Sequence, residues 1–305
     1  MKIRLLTLLC LAAAIAAPGT SSLAKTGDGP IRVLFLGHDS EHHNSNLYYP
    51  MLSRALGRDA IYFDYVTSVE EALDDADTLG KFDALLLYAN HGRIEPHQWK
   101  NLKNYVEGGG GFVPVHCASW CFGNEPGFDK LVGGRFKSHQ GAEFAAKIVK
   151  PDHPAIKDVN EFTAWDETYF HNNHNTENRT VLMVRDAMPG DPHTKPEPWT
   201  WVRTQGKGRV FYTASGHDQR VWSHSDFHQL IKSGILWSVG DKARRRYDNF
   251  IAKRTPLKYE KRGNIPNYER RPEPLQYQLP LSPEDSMKYT QVPVGFRMEL
   301  FAAEP

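Results

Sequence analysis

The feature that most constrains this chain is the alternation of short apolar runs with amphipathic segments between residues 30 and 241. Ile31–Leu36 (IRVLFL) and Ala84–Tyr88 (ALLLY) are almost continuously apolar, as expected of strands that are buried on both faces of a sheet. Pro96–Glu107 and Asp226–Val239 repeat apolar residues with the period of a helix that covers such a sheet. This alternation predicts an α/β domain with a mainly parallel sheet.

Further patterns complete the predicted order of elements. Ser68 and Glu71 have the spacing of a capping box, which predicts a helix through Leu73. The segment TQGKG between the last two predicted strands is typical of a hairpin turn, so the later part of the sheet is expected to be mixed. The remaining predictions are a helix at Leu47–Leu56 and strands at Ala60–Val66, Phe112–Val115, Phe144–Val149, Thr180–Arg185, Thr200–Arg203 and Arg209–Ala214.

Residues 1–24 have the pattern of a signal peptide. Lys2 and Arg4 precede an apolar stretch at 5–17, and small residues follow up to Ala24. We therefore expect an exported protein, periplasmic or secreted, and no later segment approaches the length of a membrane span. The formal net charge of +1 gives no electrostatic reason to expect a nucleic-acid partner.

The chain changes character after about residue 241. Residues 243–285 are rich in Arg, Lys, Pro and Tyr with little apolar periodicity, which predicts an extended linker or an arm over the surface. Phe296–Phe301 then has the pattern of a strand, so residues 286–305 are expected to begin a following domain that is truncated here. The predicted main domain accordingly runs from residue 30 to residue 242.

Two cysteines, Cys117 and Cys121, remain once a signal peptide is removed. They could form a disulfide if their backbones approach closely enough. Alternatively, Cys117 is a catalytic thiol, or both are small buried apolar residues beside a turn. The spacing of the two residues leaves all three alternatives open.

Histidines recur after four of the predicted strands. Ligands of open α/β sheets bind outside the carboxyl ends of the strands, so one crevice is expected to collect these side chains. His116 and His217 carry the most weight because both follow buried strands. The polar residues at these strand ends are His38, Asp39, Glu41, His42, His43, Asn90, His91, His116, Cys117, His217 and Asp218.

Two other segments add polar groups. His139 follows the glycine-rich segment GGRFKSH, and the acids Asp166 and Glu167 stand between Trp165 and Tyr169. Carboxylates bind sugar hydroxyls and aromatic rings cover the C–H face of a sugar, so this pair suits a carbohydrate, although such a segment is also common in surface turns. No cofactor is predicted. A divalent metal is kept as the less favoured alternative because no tightly spaced ligand motif is present.

Over about residues 31–241 the chain resembles the trehalose-utilisation (ThuA-like) family. The matching features are VLFLGH with His42 and His43, GGGGFVPVH, GGRFKSH, DHPAI, DETY and GKGRVFYTASGHD. The resemblance implies a flavodoxin-like fold similar to class I glutamine amidotransferases, a three-layer sandwich with a mostly parallel central sheet. It also implies a role in sugar metabolism, on keto-disaccharides or related glycosides. The tail VPVGFRMELFAAEP resembles the start of a PVC-type exported dehydrogenase or propeller domain.

The resemblance further implies roles for individual residues. His116 matches the family's elbow histidine, and His217 matches the histidine after the last core strand. In the amidotransferases an elbow cysteine acts with a histidine and a glutamate two residues later. Here Cys117 stands at the elbow, but Gln219 takes the place of that glutamate. The expected catalytic residues are His116, His217, Glu167 and Cys117, and the expected substrate-binding residues are His43, His139, Asp166, Tyr169, Trp120 and Asp218.

These residues are compatible with three functions, each a hypothesis. In the first, an isomerase or lyase-like enzyme uses His116 or His217 to move a proton beside a sugar carbonyl, with Glu167 as partner acid or base. In the second, a non-catalytic module binds sugar for an attached redox domain. In the third, Cys117 and His217 form a hydrolase or amidase. The expected ligand is a small carbohydrate, and the expected protein partner is a second copy of the chain or a dehydrogenase-like domain.

Overall fold

The structure is a computed structural model that describes residues 27–263, 266–271 and 274–303. The predicted signal peptide at 1–24 lies outside the described residues. The strands are β1 Ile31–Leu36, β2 Ile61–Val66, β3 Ala84–Leu87, β4 Gly111–Pro114, β5 Arg135–Ser138, β6 Gly141–Ala145, β7 Lys147–Ile148, β8 Thr163–Glu167, β9 Phe170–Asn172, β10 Arg179–Arg185, β11 Glu197–Gln205, β12 Gly208–Thr213, β13 Tyr259–Arg262 and β14 Leu275–Gln278.

The helices lie between these strands and at the end of the chain. They are α1 Ser45–Gly57, α2 Val69–Leu73, α3 Ala76–Leu79, α4 Pro96–Glu107, α5 Pro126–Val132, α6 Gln219–Trp222, α7 Ser225–Ser238, α8 Asp241–Ala252 and α9 Pro283–Met287, with a 3₁₀ helix at His116–Trp120. In the part of the chain that the structure describes, no helix combines the length and the apolar character needed to cross a membrane.

One eight-stranded sheet forms the centre of the molecule, in the order β2-β1-β3-β4-β12-β11-β10-β7. The pairs from β2 to β12 are parallel, and the pairs from β12 to β7 are antiparallel. Helices flank this sheet and pack against its strands. The predicted α/β class, with a mostly parallel central sheet and a mixed later part, is therefore confirmed.

Local sequence sets several elements at the predicted residues. β1 and α4 have the predicted bounds, and α4 begins at Pro96, whose missing N–H costs nothing in a first helical turn. The Gln98 side chain accepts a hydrogen bond from the Glu95 N–H, which closes the same turn. α7 packs closely on β12 at Gly234, where a Cβ would lie 2.4 Å from the Phe211 ring, so only glycine fits there without a shift.

Residues 141–172 differ from the prediction. The single strand expected at Phe144–Val149 is two strands: β6 pairs with β8 in a separate ribbon, and β7 joins the edge of the central sheet. Only Ala146 separates the two strands. A second ribbon pairs β5 with β9. The two ribbons carry the GGRFKSH and DETY segments across the carboxyl edge of the sheet.

The C-terminal segment is attached to the domain where it begins. The expected linker at 243–285 begins inside α8, and this helix is tied to the domain by Arg246, which pairs with Asp83, and by Tyr247, whose hydroxyl donates to the Asp59 carbonyl. The strand predicted at Phe296–Phe301 is wrong: these residues form no strand, and Phe301 is fully exposed. An isolated strand has no neighbour to satisfy its backbone groups.

Candidate active site

The strand ends that the sequence singled out meet at the carboxyl edge of the sheet. β1, β3, β4 and β12 are parallel and adjacent, so the loops that follow them lie side by side. The order of the strands reverses between β1 and β3, which is where open α/β sheets bind their ligands. His43, Asn90, His116 and His217 come from these four loops, and β8 adds Glu167 at its last residue.

The sharp turn after β4 is centred on His116. This residue has φ of +49°, in the left-handed region that a non-glycine residue occupies at a cost of about 1–3 kcal/mol. Gly216 faces it with φ of +140°, and a Cβ at Gly216 would lie 3.1 Å from the His116 Cβ. The elbow residue is therefore His116, and the glycine in the β12 loop allows the two loops to approach.

His116 and His43 point their Nε2 atoms at each other. The two atoms are 3.2 Å apart, and both rings are buried. The His116 Nδ1 lies 2.6 Å from the Ala214 carbonyl oxygen, and the His43 Nδ1 lies 3.1 Å from the Asn90 Oδ1. Burial lowers the pKa of His116 and lowers that of His43 to about 3, so both imidazoles are neutral at physiological pH.

Glu167 lies at the centre of the histidines. Its Oε2 is 3.2 Å from the His116 Nε2 and 3.6 Å from the His43 Nε2. Its Oε1 is 3.2 Å from the His217 Nδ1 and 3.4 Å from the His139 Nε2. Burial alone would raise the pKa of Glu167, but its hydrogen bonds to the histidines outweigh burial and hold the pKa well below its ordinary value. We call His43, His116, His217 and Glu167 the histidine–glutamate cluster.

His217 is the histidine of the cluster whose cationic form this carboxylate favours. Burial would lower the pKa of His217, but the carboxylate of Glu167 and, more weakly, those of Asp166 and Asp218 raise it. Its side chain is 19% exposed, so it lies at the border between the cluster and solvent.

Asp166 fastens the β12 loop to β8. Its Oδ2 accepts a hydrogen bond from the Gly216 N–H, and its Oδ1 accepts from the N–H groups of His217 and Glu167. Burial raises the pKa of Asp166 to about 7, against the opposing effect of these three donors. Its side chain thus positions His217 and Glu167, and both of its oxygens are already engaged.

A buried chain of polar side chains supports the strained backbone of His116. The Tyr212 hydroxyl lies 3.1 Å from the His116 carbonyl oxygen and 3.0 Å from both the Ser119 Oγ and the His171 Nε2. The other ring nitrogen of His171 is 3.2 Å from a carboxylate oxygen of Glu197. The sequence analysis missed His171, Tyr212 and Glu197, since each lies inside or beside a strand and no local motif marks it.

His38 gives similar support to His43. Its Nε2 lies 2.9 Å from the His43 carbonyl oxygen, and its Nδ1 accepts a hydrogen bond from the Asn90 N–H. His43, like His116, has a left-handed backbone, with φ of +55°. His38 therefore contacts both the strained residue His43 and the backbone of Asn90, whose side chain faces the His43 ring.

Cys117 and Cys121 are both free thiols and both fully buried. Burial raises the pKa of Cys117 well above its ordinary value and raises that of Cys121 to about 12. The Cys121 Sγ lies 2.9 Å from the Ala89 carbonyl oxygen. A thiol acts as a nucleophile in its ionised form, so this environment gives Cys117 no activation.

A pocket of about 140 Å³ opens above the cluster. Trp120, 40% exposed, and the buried Tyr169 form part of its wall, and the Tyr169 ring stacks on His116 at 4.1 Å between centroids. The half-exposed side chain of His139 stands at its mouth. The lining residues are His42, His43, Asn90, Trp120, Phe136, His139, Glu167 and Tyr169.

Asp218 lies outside this pocket. It caps α6 and pairs with Arg220, whose guanidinium lies 3.8 Å from the centre of the Trp165 ring. A larger cleft of about 370 Å³ opens at the opposite edge of the sheet, but its carboxylate, Asp83, is already paired with Arg246. Of these two pockets, the one at the carboxyl edge has His42, His43, His139 and Glu167 together in its wall.

The histidine–glutamate cluster is also the part of the site that could hold a metal ion. Each of its four residues offers one donor atom, and these atoms all lie within 4.8 Å of one another. Within residues 27–263, 266–271 and 274–303, no other group of three or more His, Cys, Asp or Glu side chains has this property.

We expect His217→Gln to reduce the free energy of unfolding more at about pH 5.5 than at about pH 8.5 when a chelator is present. The pKa of His217 is raised from 6.5, so its ion pair with Glu167 stabilises the folded state below that value and is lost as pH rises through the folded pKa. Glu167 stays ionised at the lower pH because its pKa is depressed. Urea unfolding at the two pH values measures the difference, and an equal loss at both would contradict the ion pair.

Comparisons with known proteins agree with this architecture. A family model for trehalose utilisation (ThuA) matches residues 32–238. A ThuA-like protein from Parabacteroides merdae is similar in structure, with a TM-score of 0.61 and 19% identity over 68% of this chain and 90% of the other. One from Bacteroides uniformis has a TM-score of 0.59 and 18% identity over 70% and 94% of the two chains.

A cytoplasmic protein from Salmonella typhimurium has a TM-score of 0.50 and 14% identity over 69% of this chain and 100% of the other. Identities this low show a shared fold only. No curated protein matches the chain. The matched range ends before the C-terminal tail, whose resemblance to a dehydrogenase or propeller domain gains no support from these comparisons.

Proposed function

This chain belongs to the ThuA family of trehalose utilisation, a carbohydrate-related domain, and on that premise we propose that its pocket binds a keto-disaccharide or a related glycoside and moves a proton beside the sugar carbonyl. The observation that carries this proposal is the position of His139. Its imidazole is half-exposed at the mouth of the pocket, and its Nε2 lies 3.4 Å from the buried carboxylate of Glu167.

The pocket has the surfaces that a sugar needs. Trp120, Phe136 and Tyr169 supply aromatic faces for the C–H side of a pyranose ring. His42 and Asn90 supply polar atoms near the same opening for its hydroxyl groups. An apolar wall facing polar groups is typical of sites that fix the orientation of a small ligand.

His139 has the protonation pattern of a base. Its Nδ1 lies 3.1 Å from the Gln140 carbonyl oxygen, which can only accept, so in the neutral ring the proton resides on Nδ1 and Nε2 carries the lone pair. The Glu167 carboxylate, 3.4 Å from Nε2, stabilises the imidazolium that forms when Nε2 takes up a proton. His116 or His217 was the expected proton carrier. His116 is fully buried and its Nε2 already faces His43 and Glu167, and the buried Nδ1 of His217 faces Glu167. We therefore assign proton transfer to His139, with Glu167 stabilising its protonated form.

In the proposed step the His139 Nε2 takes a proton from the carbon next to the sugar carbonyl. The electron pair of that C–H bond forms a C=C bond, and the carbonyl oxygen becomes an enolate oxygen. If the hydroxyl proton on the deprotonated carbon passes to the enolate oxygen and the proton held by His139 is delivered to the former carbonyl carbon, the product is an isomer with the carbonyl moved by one carbon. If instead a glycosidic oxygen on the next carbon departs with the electrons of its C–O bond and takes the proton from His139, the carbonyl re-forms, a C=C bond remains and the product is that of a lyase.

The other two hypotheses make different use of the site. A Cys117–His217 hydrolase needs an ionisable thiol, and burial raises the pKa of Cys117 well above its ordinary value. A binding module needs only the pocket. Incubation in deuterated water separates these cases without knowledge of the final product.

We expect the protein to exchange a hydrogen on one of the two carbons beside the ring carbonyl of keto-trehalose for deuterium, and to leave unoxidised trehalose unchanged. NMR follows the loss of the C–H signal at that carbon, with buffer alone as the reference. Binding of the keto sugar without exchange would replace the enzyme with the module. Cleavage that stops in Cys117→Ala would favour the hydrolase.

Three other expectations remain predictions. They are export to the periplasm or the medium, assembly with a second copy of the chain, and association with a dehydrogenase-like domain. They concern the location of the protein and its protein partners, and the outcome of the exchange experiment does not depend on them.

A further inference from the structure

We propose that the histidine–glutamate cluster binds one divalent transition-metal ion through the Nε2 atoms of His43 and His116, the Nδ1 of His217 and the carboxylate of Glu167. This goes beyond the proposed function, because ion binding requires neither a sugar nor a reaction. Three features of the cluster support ion binding: the positions of its hydrogens, the distances between its donor atoms and a buried His217 nitrogen that lacks an aligned hydrogen bond.

The two buried rings, His43 and His116, have the tautomer that leaves Nε2 unprotonated. The His116 Nδ1 faces the Ala214 carbonyl oxygen at 2.6 Å, and the His43 Nδ1 faces the Asn90 Oδ1 at 3.1 Å. Both partners accept hydrogen bonds, so each Nδ1 carries the proton of a neutral ring. Both Nε2 atoms then present lone pairs to the inside of the cluster. Metal-bound histidines show this arrangement, in which the outer nitrogen donates to an oxygen.

These lone pairs lie close to each other. The two Nε2 atoms are 3.2 Å apart, and the Glu167 Oε2 lies 3.2 Å from one and 3.6 Å from the other. Two neutral nitrogens and a carboxylate oxygen hold no proton among them and repel one another at this distance. A cation at their centre removes the repulsion.

The distances between the donor atoms are close to those around a tetrahedral metal ion. Zinc binds imidazole nitrogen at about 2.0–2.1 Å in tetrahedral geometry, which places neighbouring donor atoms about 3.3 Å apart. The separations among His43, His116 and Glu167 are 3.2 Å and 3.6 Å, on either side of that value. All four donor atoms lie within 4.8 Å of one another, so those at the longer distances would move inward when an ion binds.

His217 is the remaining histidine of the cluster. Its Nδ1 is buried and lies 3.2 Å from the Glu167 Oε1, close enough for an ion pair but without the alignment of a hydrogen bond. The lone pair of this nitrogen in the neutral ring is therefore not committed to a hydrogen bond. A metal ion at the centre of the cluster would bind it.

The donor set also selects the class of ion. Imidazole nitrogens favour zinc, iron, nickel and copper, whereas magnesium and calcium prefer oxygen ligands. The ion would lie at the floor of the pocket, next to His139 and below Tyr169. In that position it could polarise a sugar oxygen.

Calorimetric titration of the chelator-stripped protein with Zn²⁺ tests the proposal directly. We expect one ion per chain, and little binding of Mg²⁺ or Ca²⁺. Co²⁺ should give visible absorption bands that report nitrogen and oxygen ligands. Loss of a supporting residue typically lowers metal affinity 10–100-fold, so His116→Gln and Glu167→Gln should weaken Zn²⁺ binding by about a hundredfold or more.

Two further variants keep the test decisive. Asn90→Ala removes only the acceptor of the His43 ring and should weaken Zn²⁺ binding about 10–100-fold even if substitution of buried His116 disturbs folding. His97→Gln alters an exposed histidine paired with Asp74 and should leave Zn²⁺ affinity unchanged. Binding that is absent in the wild type, or equal in all variants, overturns the proposal and leaves a shared proton as the cation of the cluster.

Discussion

Replacing His139 with glutamine is expected to lower kcat for proton exchange by about a hundredfold to ten-thousandfold, the usual contribution of a positioned acid–base group. Glutamine keeps the approximate length and the hydrogen-bonding ability of the side chain but does not accept a proton at neutral pH. Because His139 stands at the mouth of the pocket, KM should change far less than kcat. Steady-state exchange of the keto sugar in deuterated water, read by NMR, measures both constants.

His193 offers a matched control for this variant. Its Nε2 lies 3.3 Å from a carboxylate oxygen of the buried Glu197, and its side chain is 43% exposed. The corresponding values for His139 are 3.4 Å from Glu167 and 42%. His193→Gln should therefore show the cost of disturbing such a pair without the loss of catalysis. Equal kcat values for the two variants would refute proton transfer by His139.

Replacing Asp166 with alanine is expected to reduce the free energy of unfolding by roughly 3 kcal/mol or more. The substitution leaves the N–H groups of Gly216, His217 and Glu167 buried without their acceptor, at about 1–3 kcal/mol for each unsatisfied group. It also releases the β12 loop from β8, so His217 and Glu167 should lose their relative position. Urea unfolding gives the stability, and the exchange assay should show a parallel loss of activity.

Asp166→Asn grades the same effect. The two bonds from His217 and Glu167 end on one oxygen, and the Gly216 bond ends on the other. If the asparagine places its oxygen where the Asp166 Oδ1 lies, it still accepts from His217 and Glu167 and loses only the bond from Gly216. Its loss of stability should therefore be about a third of that of alanine. If the two variants are equally stable and bind sugar less tightly than the wild type, Asp166 is a substrate ligand, as the sequence first indicated.

The accuracy of the sequence predictions depends on how local the determining interactions are. β1 and α4 depend on apolar runs and a capping pattern within a few residues, and both were predicted to the residue. The meeting of His116 and His217 was also predictable, because parallel strands end at one edge. In contrast, Glu167 reaches the cluster only because β8 pairs with β6 in a ribbon above that edge.

The roles of neighbouring acids could not be read from local sequence at all. Asp166 binds backbone groups about 50 residues further along the chain, whereas Asp218 binds Arg220 two residues away. In sequence both are acids beside a histidine or an aromatic residue, typical of a sugar site. The Asp166 contacts arise from the packing of β8 against the β12 loop, which neither segment specifies alone.

The left-handed backbones of His43 and His116 limit which residues can replace them. Glycine, asparagine and aspartate accept that conformation readily, whereas β-branched residues accept it poorly. Two of the imidazoles in the cluster therefore occupy positions where the backbone admits few substitutes. A descendant that loses the chemistry but keeps the fold should carry glycine or asparagine at positions 43 and 116, so that the shape of both turns outlasts the side chains that made them useful.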